Sequence, residues 1–394
     1  MKNEKILLYV LALVQFTNIM DFMIMMPLNP ILSKLFLLSP KQFGILVSSY
    51  TLSAAISGFS SAFFADKFDR RLVLLTMYAG FTLGTFACAA ATTYELLLLA
   101  RCFTGVFGGV LGATVMAIIG DAIPQERRGA AMGTVMAAFA AASVFGVPFG
   151  LFLATKLTWH APFILLGAIG VFTTFAIFFF IPSFQTHIAS KKEQTNPLQV
   201  LANIAADSNQ ITALAFSFTV FFGMFTVIPF LSDYMVSNVG FEQEQLPFIY
   251  FTGGLCTIFT SPLVGKAADK YGKLQVFLLF AFLTLIPIIV ITNLPKMSIY
   301  VVLCITTVFF ILSNGRAVPA VTMISGAVPP SNRGGFMSIN SAVQSAASAS
   351  AAYIAGLIVT KENGMIANYN VVGYVSVVVA FLAIFIATRV KQVQ

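Results

Sequence analysis

What most constrains this chain is how rarely a charge interrupts runs long enough to cross a bilayer. Apolar segments bounded by charges, Pro or Gly recur at residues 6–28, 42–65, 72–93, 95–121, 130–154, 162–181, 211–234, 245–267, 274–293, 299–326, 335–359 and 369–388. Each is about the 20 residues that a helix needs to traverse hydrocarbon. Only 9% of the 394 residues are charged and 58% are apolar, whereas a soluble domain carries roughly a quarter charged residues. A water-soluble globule is excluded. The expectation is an all-α membrane protein of twelve transmembrane helices in two six-helix bundles, residues 1–181 and 211–394, joined by a cytoplasmic linker over 182–210, the longest polar gap.

The formal charge of +8 raises the question of nucleic acid, but its distribution answers it. With the N-terminus inside, fifteen Lys and Arg fall in alternate loops, among them Arg70, Arg71, Arg127, Arg128, Lys191 and Lys192, and only Lys34, Lys41, Lys156, Lys296 and Lys361 lie opposite. This bias predicts a multi-pass protein of the inner (plasma) membrane with both termini cytoplasmic, partnered by lipid and not by nucleic acid. The start, Met1 to Lys5 followed by an apolar run past Asp21, lacks a small-residue cleavage site and is read as a retained first helix. The cysteines Cys88, Cys102, Cys256 and Cys304 lie in apolar runs without a Cys-x-x-Cys, so neither a disulfide framework nor a zinc site is expected.

The two halves share landmarks. Ala65-Asp66-Lys67-Phe68 recurs 203 positions later as Ala268-Asp269-Lys270-Tyr271, and the Pro124 to Gly129 segment recurs 205 positions later as Pro329 to Gly334. Two landmarks at nearly one offset indicate duplicated six-helix halves, related by an axis along the membrane normal because each has an even number of spans.

At these loops the chain resembles the major facilitator superfamily of secondary transporters, over essentially its whole length. The family signature Gly-x-x-x-Asp-[Arg/Lys]-x-Gly-[Arg/Lys]-[Arg/Lys] stands as Ala62 to Arg71, with Ala62 and Asp69 in place of the glycines. The second copy, Gly265 to Lys273, keeps both. Arg101-Cys102-Phe103-Thr104-Gly105 is similar to the fourth-span signature of proton-coupled members. Gly146-Val147-Pro148-Phe149-Gly150 resembles the fifth-span motif of drug:proton antiporters in the sugar and arabinose efflux branch, as does the acidic segment beginning at Asp21. The resemblance implies proton-coupled efflux of a small organic solute or drug by alternating access, with protons and a small-molecule substrate as partners, no cofactor, and a monomer. An uncoupled facilitator is the alternative within transport. A membrane-embedded receptor or enzyme is the alternative of another class, disfavoured because no catalytic cluster, phosphate-binding glycine loop or sizeable soluble segment occurs.

Ionisable groups within spans are costly and usually have a partner or a task. Asp21 and Arg101 each lie about 10 Å from the outer end of their helices at 1.5 Å per residue, so depth permits them to meet. The resemblance places their helices around one cavity. A reversible pair would make Asp21 and Arg101 the proton-coupling site, because separating a carboxylate from a guanidinium favours proton uptake. The plain alternatives are a static ion pair and an Arg101 that snorkels outward.

Gln15, Asn18, Asp21, Met25 and Asn29 follow three- and four-residue steps, which places them on one helix face, lining a substrate cavity or serving interhelical hydrogen bonds. Thr226, in a looser stripe of the seventh span, faces the same choice with packing. Arg316, beside Asn314 and Pro319 in the tenth span, is either an anion or substrate contact or an arginine satisfying carbonyls at a proline break. For the cluster Asp66, Arg70, Arg71 and Asp121, with Asp269 and Lys273 in the second half, the resemblance implies gating, and topogenic charge is the plain alternative. Gly146 and Gly150 form a close-approach pair flanking a bend at Pro148. The only histidines, His160 and His187, fall in different loops, so no metal site is expected.

Overall fold

A computed structural model describes residues 2–61, 63–124, 127–184, 197–329 and 333–393. Much of the linker, with His187, Lys191 and Lys192, lies outside them, as do Ala62 and the side chain of Asp66.

The apolar runs are helices. They are α1 (Lys2–Ile24), α2 (Asn29–Leu35), α3 (Pro40–Ser61), α4 (Arg70–Ala90), α5 (Tyr94–Ala122), α6 (Arg128–Ala141), α7 (Val147–Lys156), α8 (Ala161–Phe180), α9 (Pro197–Ala206), α10 (Ser208–Tyr234), α11 (Leu246–Tyr271), α12 (Lys273–Ile291), α13 (Ile299–Gly326), α14 (Arg333–Ile358) and α15 (Tyr369–Ala387). Among the described residues, ten helices are long and apolar enough to span a membrane by themselves. A further crossing is assembled from α6, a π-helical turn at Ala142–Gly146, and α7. The other is α14, whose Ser, Gly, Asn and Gln residues dilute its apolar character while most of its alanines are buried.

The chain forms two compact units, Met1–Ile24 with Ser49–Gln199, and Met25–Ser48 with Val200–Gln394. In the first, Leu11 and Val14 of α1 pack with Tyr78 and Phe81 of α4, Leu111 and Val115 of α5, and Ile177 of α8. In the second, Phe216 and Val220 of α10 pack with Phe277 of α12, Ala320 and Met323 of α13, Phe336 of α14 and Ala383 of α15. Phenylalanines Phe172, Phe175 and Phe179 line the outside of α8, more than half exposed. A helix apolar on all sides belongs in lipid.

Local chemistry sets the breaks. The first span stops at Ile24, earlier than the sequence predicts, because Pro27 cannot continue the hydrogen-bond ladder. Pro30 then opens the first turn of α2. Met25 therefore lies in a turn and Asn29 begins a new helix, so the polar stripe ends at Asp21. Within the second unit the start of α3 meets α14 backbone to backbone. A Cβ on Gly44 would stand 2.7 Å from the Ala352 carbonyl and 3.0 Å from the Gly356 Cα.

A short antiparallel hairpin, β1 (Thr360–Glu362) and β2 (Met365–Ala367), separates α14 from α15. Asn363 and Gly364 turn it with φ of 50° and 81°, the Asn-Gly chemistry that two-residue hairpins require.

The duplicated loops differ in the way their sequences differ. Gly272 sits at φ 97° between α11 and α12, a conformation that favours glycine. Asp69, at the matching place, has a φ of −55° and caps α4 by accepting from the Arg71 amide at 2.8 Å. Its carboxylate also binds the Phe184 amide at 3.1 Å and the Ser183 hydroxyl. The substituted aspartate thus ties the end of α8 to the start of α4.

Candidate functional site

Four helices of the first unit converge on one buried ion pair. Asp21 on α1 and Arg101 on α5 are 0% and 1% exposed. Arg101 Nη1 donates to Asp21 Oδ2 at 2.6 Å and reaches the Asp21 backbone carbonyl at 3.4 Å. Thr85 of α4 donates its hydroxyl to Asp21 Oδ1 at 3.3 Å. The guanidinium lies over the ring of Tyr50 of α3, 4.3 Å from its centroid, where the ring quadrupole adds attraction. Arg101 Nε has no hydrogen-bond partner and is sealed from solvent.

The surrounding layer holds these groups in place. Tyr50 donates to Asn18 Oδ1 at 2.8 Å, Asn18 Nδ2 reaches the Gly108 carbonyl at 3.4 Å, and the Tyr50 ring stacks on Phe22 at 5.8 Å. Gly108 provides the room, because a Cβ there would lie 2.6 Å from the Tyr50 hydroxyl. Asp21, Arg101 and Asn18 were legible in the sequence. Tyr50 and Thr85 were not, since a tyrosine or threonine inside an apolar run carries no signal of its own. Gln15, one turn before Asn18, has a buried Oε1 without a partner.

The fifth-span motif bears on the same place. Cβ atoms added at Gly146 and Gly150 would fall 2.9 Å from Met20 Sδ, and 2.9 Å from Met20 Cε and Ile24 Cδ1, respectively. Both glycines therefore let the π turn and α7 close on α1 beside Asp21. Pro148 lacks the N–H that a regular helix would use, and it falls just after the π-helical turn.

The remaining expected residues are dispersed. Arg70 Nε pairs with Asp121 Oδ2 at 2.5 Å within the first unit, and Arg71 turns to the Phe178 carbonyl and ring. Asp269 and Lys273 form no ion pair or hydrogen bond among the described residues. In the second unit Thr226 spends its hydroxyl on its own helix, donating to the Phe222 carbonyl at 2.6 Å. Asn314 donates to Ser261 Oγ at 2.6 Å, and Asn29 donates to the Pro229 carbonyl at 3.1 Å. Met25 is buried. Arg316 is 4% exposed.

The family model of the Major Facilitator Superfamily matches residues 11–315 and 213–393. The chain belongs to this superfamily. It is a membrane transporter and not an enzyme, a member of a family whose proteins bind small-molecule substrates. The MFS-type transporter YbcL of Bacillus subtilis (strain 168) is 24% identical over 343 residues, covering 86% of this chain and 85% of its own length. Multidrug resistance protein 3 of the same organism is 27% identical over 236 residues, 53% of this chain and 46% of that protein. The crystal structure of a D-xylose-proton symporter superposes with a TM-score of 0.79 at 14% identity, over 98% of this chain and 99% of that one, which shows a common fold.

Proposed function

We propose that this superfamily member is a proton-coupled exporter of a small organic solute, working by alternating access, with Asp21 and Arg101 as the coupling pair. The observation that carries the reading is the 2.6 Å contact between two oppositely charged side chains, both shut away from solvent. A buried pair of this kind is poor as a source of stability, because desolvating both charges offsets most of their attraction. It is well suited to a switch. A proton on Asp21 removes one charge, weakens the link between α1 and α5, and leaves Arg101 on the Tyr50 ring. The Tyr50–Asn18 bond, on the same turn of α1, carries that change along the helix. Export as the direction is supported by the fifth-span motif packed on α1 and by the name of the similar Multidrug resistance protein 3. Use of protons is supported by the structural likeness to a D-xylose-proton symporter. In this reading the protein is a monomer in the plasma membrane with both termini cytoplasmic, and its functional bundles are residues 1–181 and 211–394.

Proteoliposomes containing a pH-sensitive dye test it, with a panel of sugars, nucleosides, lipophilic cations and organic acids. Wild-type protein should couple proton movement to the transport of at least one member, and an external acid pulse should drive that solute outward against its gradient. Asp21→Asn should abolish the coupling. Equilibration without uphill movement would instead identify an uncoupled facilitator, and equal proton-driven transport by the variant would remove Asp21 from the mechanism.

A further inference from the structure

Arg316 is a buried cation with no anionic partner among the described residues. Its guanidinium makes no ion pair and no hydrogen bond among the described residues, not even to the carbonyls near Pro319, so the reading of a carbonyl-satisfying arginine does not hold. The acidic residues of α10–α15 are Asp233 and Asp269. Asp233 is engaged near the end of α10 with Ser237 at 3.0 Å and Lys361 at 3.9 Å. Asp269 is exposed in the last turn of α11. Arg316 lies ten residues before Gly326 and seventeen after Ile299, hence about 15 Å from the nearer helix end.

A second buried polar group lies beside it on α13. Ser313, one turn earlier on the same buried face, has a sealed Oγ without a partner. An unpaired charge beside an unmet hydroxyl in an apolar unit is expensive, and a ligand carrying the opposite charge would offset that cost.

We propose that Arg316, with Ser313 beside it on α13, binds the carboxylate of a monoanionic organic solute. Guanidinium and carboxylate match as a two-pronged pair. Ser313 has a hydroxyl to offer a remaining lone pair. A single negative charge is indicated because the other basic residues of α10–α15, Lys266, Lys270, Lys273 and Arg333, all lie within five residues of a helix end. A phosphate dianion would be left half-compensated. This inference rests on the transport reading and names its substrate class.

The test is thermal unfolding of the purified full chain in detergent, at constant ionic strength and chloride, with benzoate against benzamide, octanoate against octanamide, and inorganic phosphate. At least one carboxylate should raise Tm where its amide and phosphate do not. Arg316→Gln should weaken its apparent affinity by roughly tenfold or more, Arg316→Lys should weaken it less, and ligand-free Arg316→Met should unfold no earlier than wild type because an uncompensated charge has been removed. Carboxylates that stabilise no better than their amides, phosphate that stabilises more, or an unchanged carboxylate shift in Arg316→Gln would each overturn the assignment. The measurement is made at equilibrium without a proton gradient. Its failure leaves proton coupling standing, and failure of proton-driven transport leaves carboxylate binding standing.

Discussion

Arg101 and Asp21 are joined at 2.6 Å on α5 and α1, and the same guanidinium rests 4.3 Å from the Tyr50 ring. Removing one member strands the other in an apolar interior. Arg101→Gln should therefore destabilise the protein by about 3–5 kcal/mol, whereas Asp21→Asn combined with Arg101→Gln should cost less than the two single changes together. A double-mutant cycle of unfolding in detergent reads both, and additive costs would mean that the contact is energetically idle.

Tyr50 supplies a ring to Arg101 and a hydroxyl to Asn18. Tyr50→Phe keeps the ring and should cost about 1 kcal/mol for the lost hydrogen bond. Tyr50→Leu also loses the cation–π contact and should cost up to about 2 kcal/mol more. The same unfolding measurement separates them.

Gly146 and Gly150 are pressed against Met20 and Ile24. Gly146→Val should cost about 1–3 kcal/mol by overpacking and displace α1 at the residue before Asp21. Met20→Ala opens the space, so adding it to Gly146→Val should recover part of the loss. A double variant no better than the single would show that the clash lies elsewhere.

Asp207 caps α10, accepting from the Asn209 amide at 2.8 Å and from the Gln210 side chain at 2.8 Å. The Gln210 amide, followed by the backbone amides of Asn209 and Gln210, holds its carboxyl below the usual range against the opposing effect of partial burial. A lowered folded value stabilises the protein above the unfolded pKa of about 3.9. That contribution is lost as pH falls through the lowered value. Asp207→Ala should cost about 1 kcal/mol at neutral pH, with the difference from wild type vanishing in strong acid.

The spans and the duplication could be read because hydrocarbon demands long apolar runs and because loop landmarks repeat at one offset. Asp21, Arg101 and Arg316 stood out for the same reason, since charge inside a span is rare. What escaped the sequence depends on tertiary packing. Tyr50 and Thr85 look like ordinary span residues until helices bring them to the ion pair. The Asp69 departure from the loop signature became intelligible only as a helix cap tied to Ser183 and Phe184. The stripe through Met25 and Asn29 failed because Pro27 outweighs helical periodicity, a signal present in the sequence but subordinate to the longer apolar run. Thr226, placed in a cavity-lining stripe, satisfies itself within its own helix.

The most direct test of the coupling claim asks whether Asp21 takes up a proton, and it needs no substrate. Infrared difference spectra of the reconstituted protein, recorded as pH is lowered and restored, should show a reversible protonated-carboxyl band that is absent in Asp21→Asn. Identical spectra from wild type and Asp21→Asn throughout the pH range in which both remain folded would contradict the account and leave Asp21 and Arg101 as a fixed structural pair.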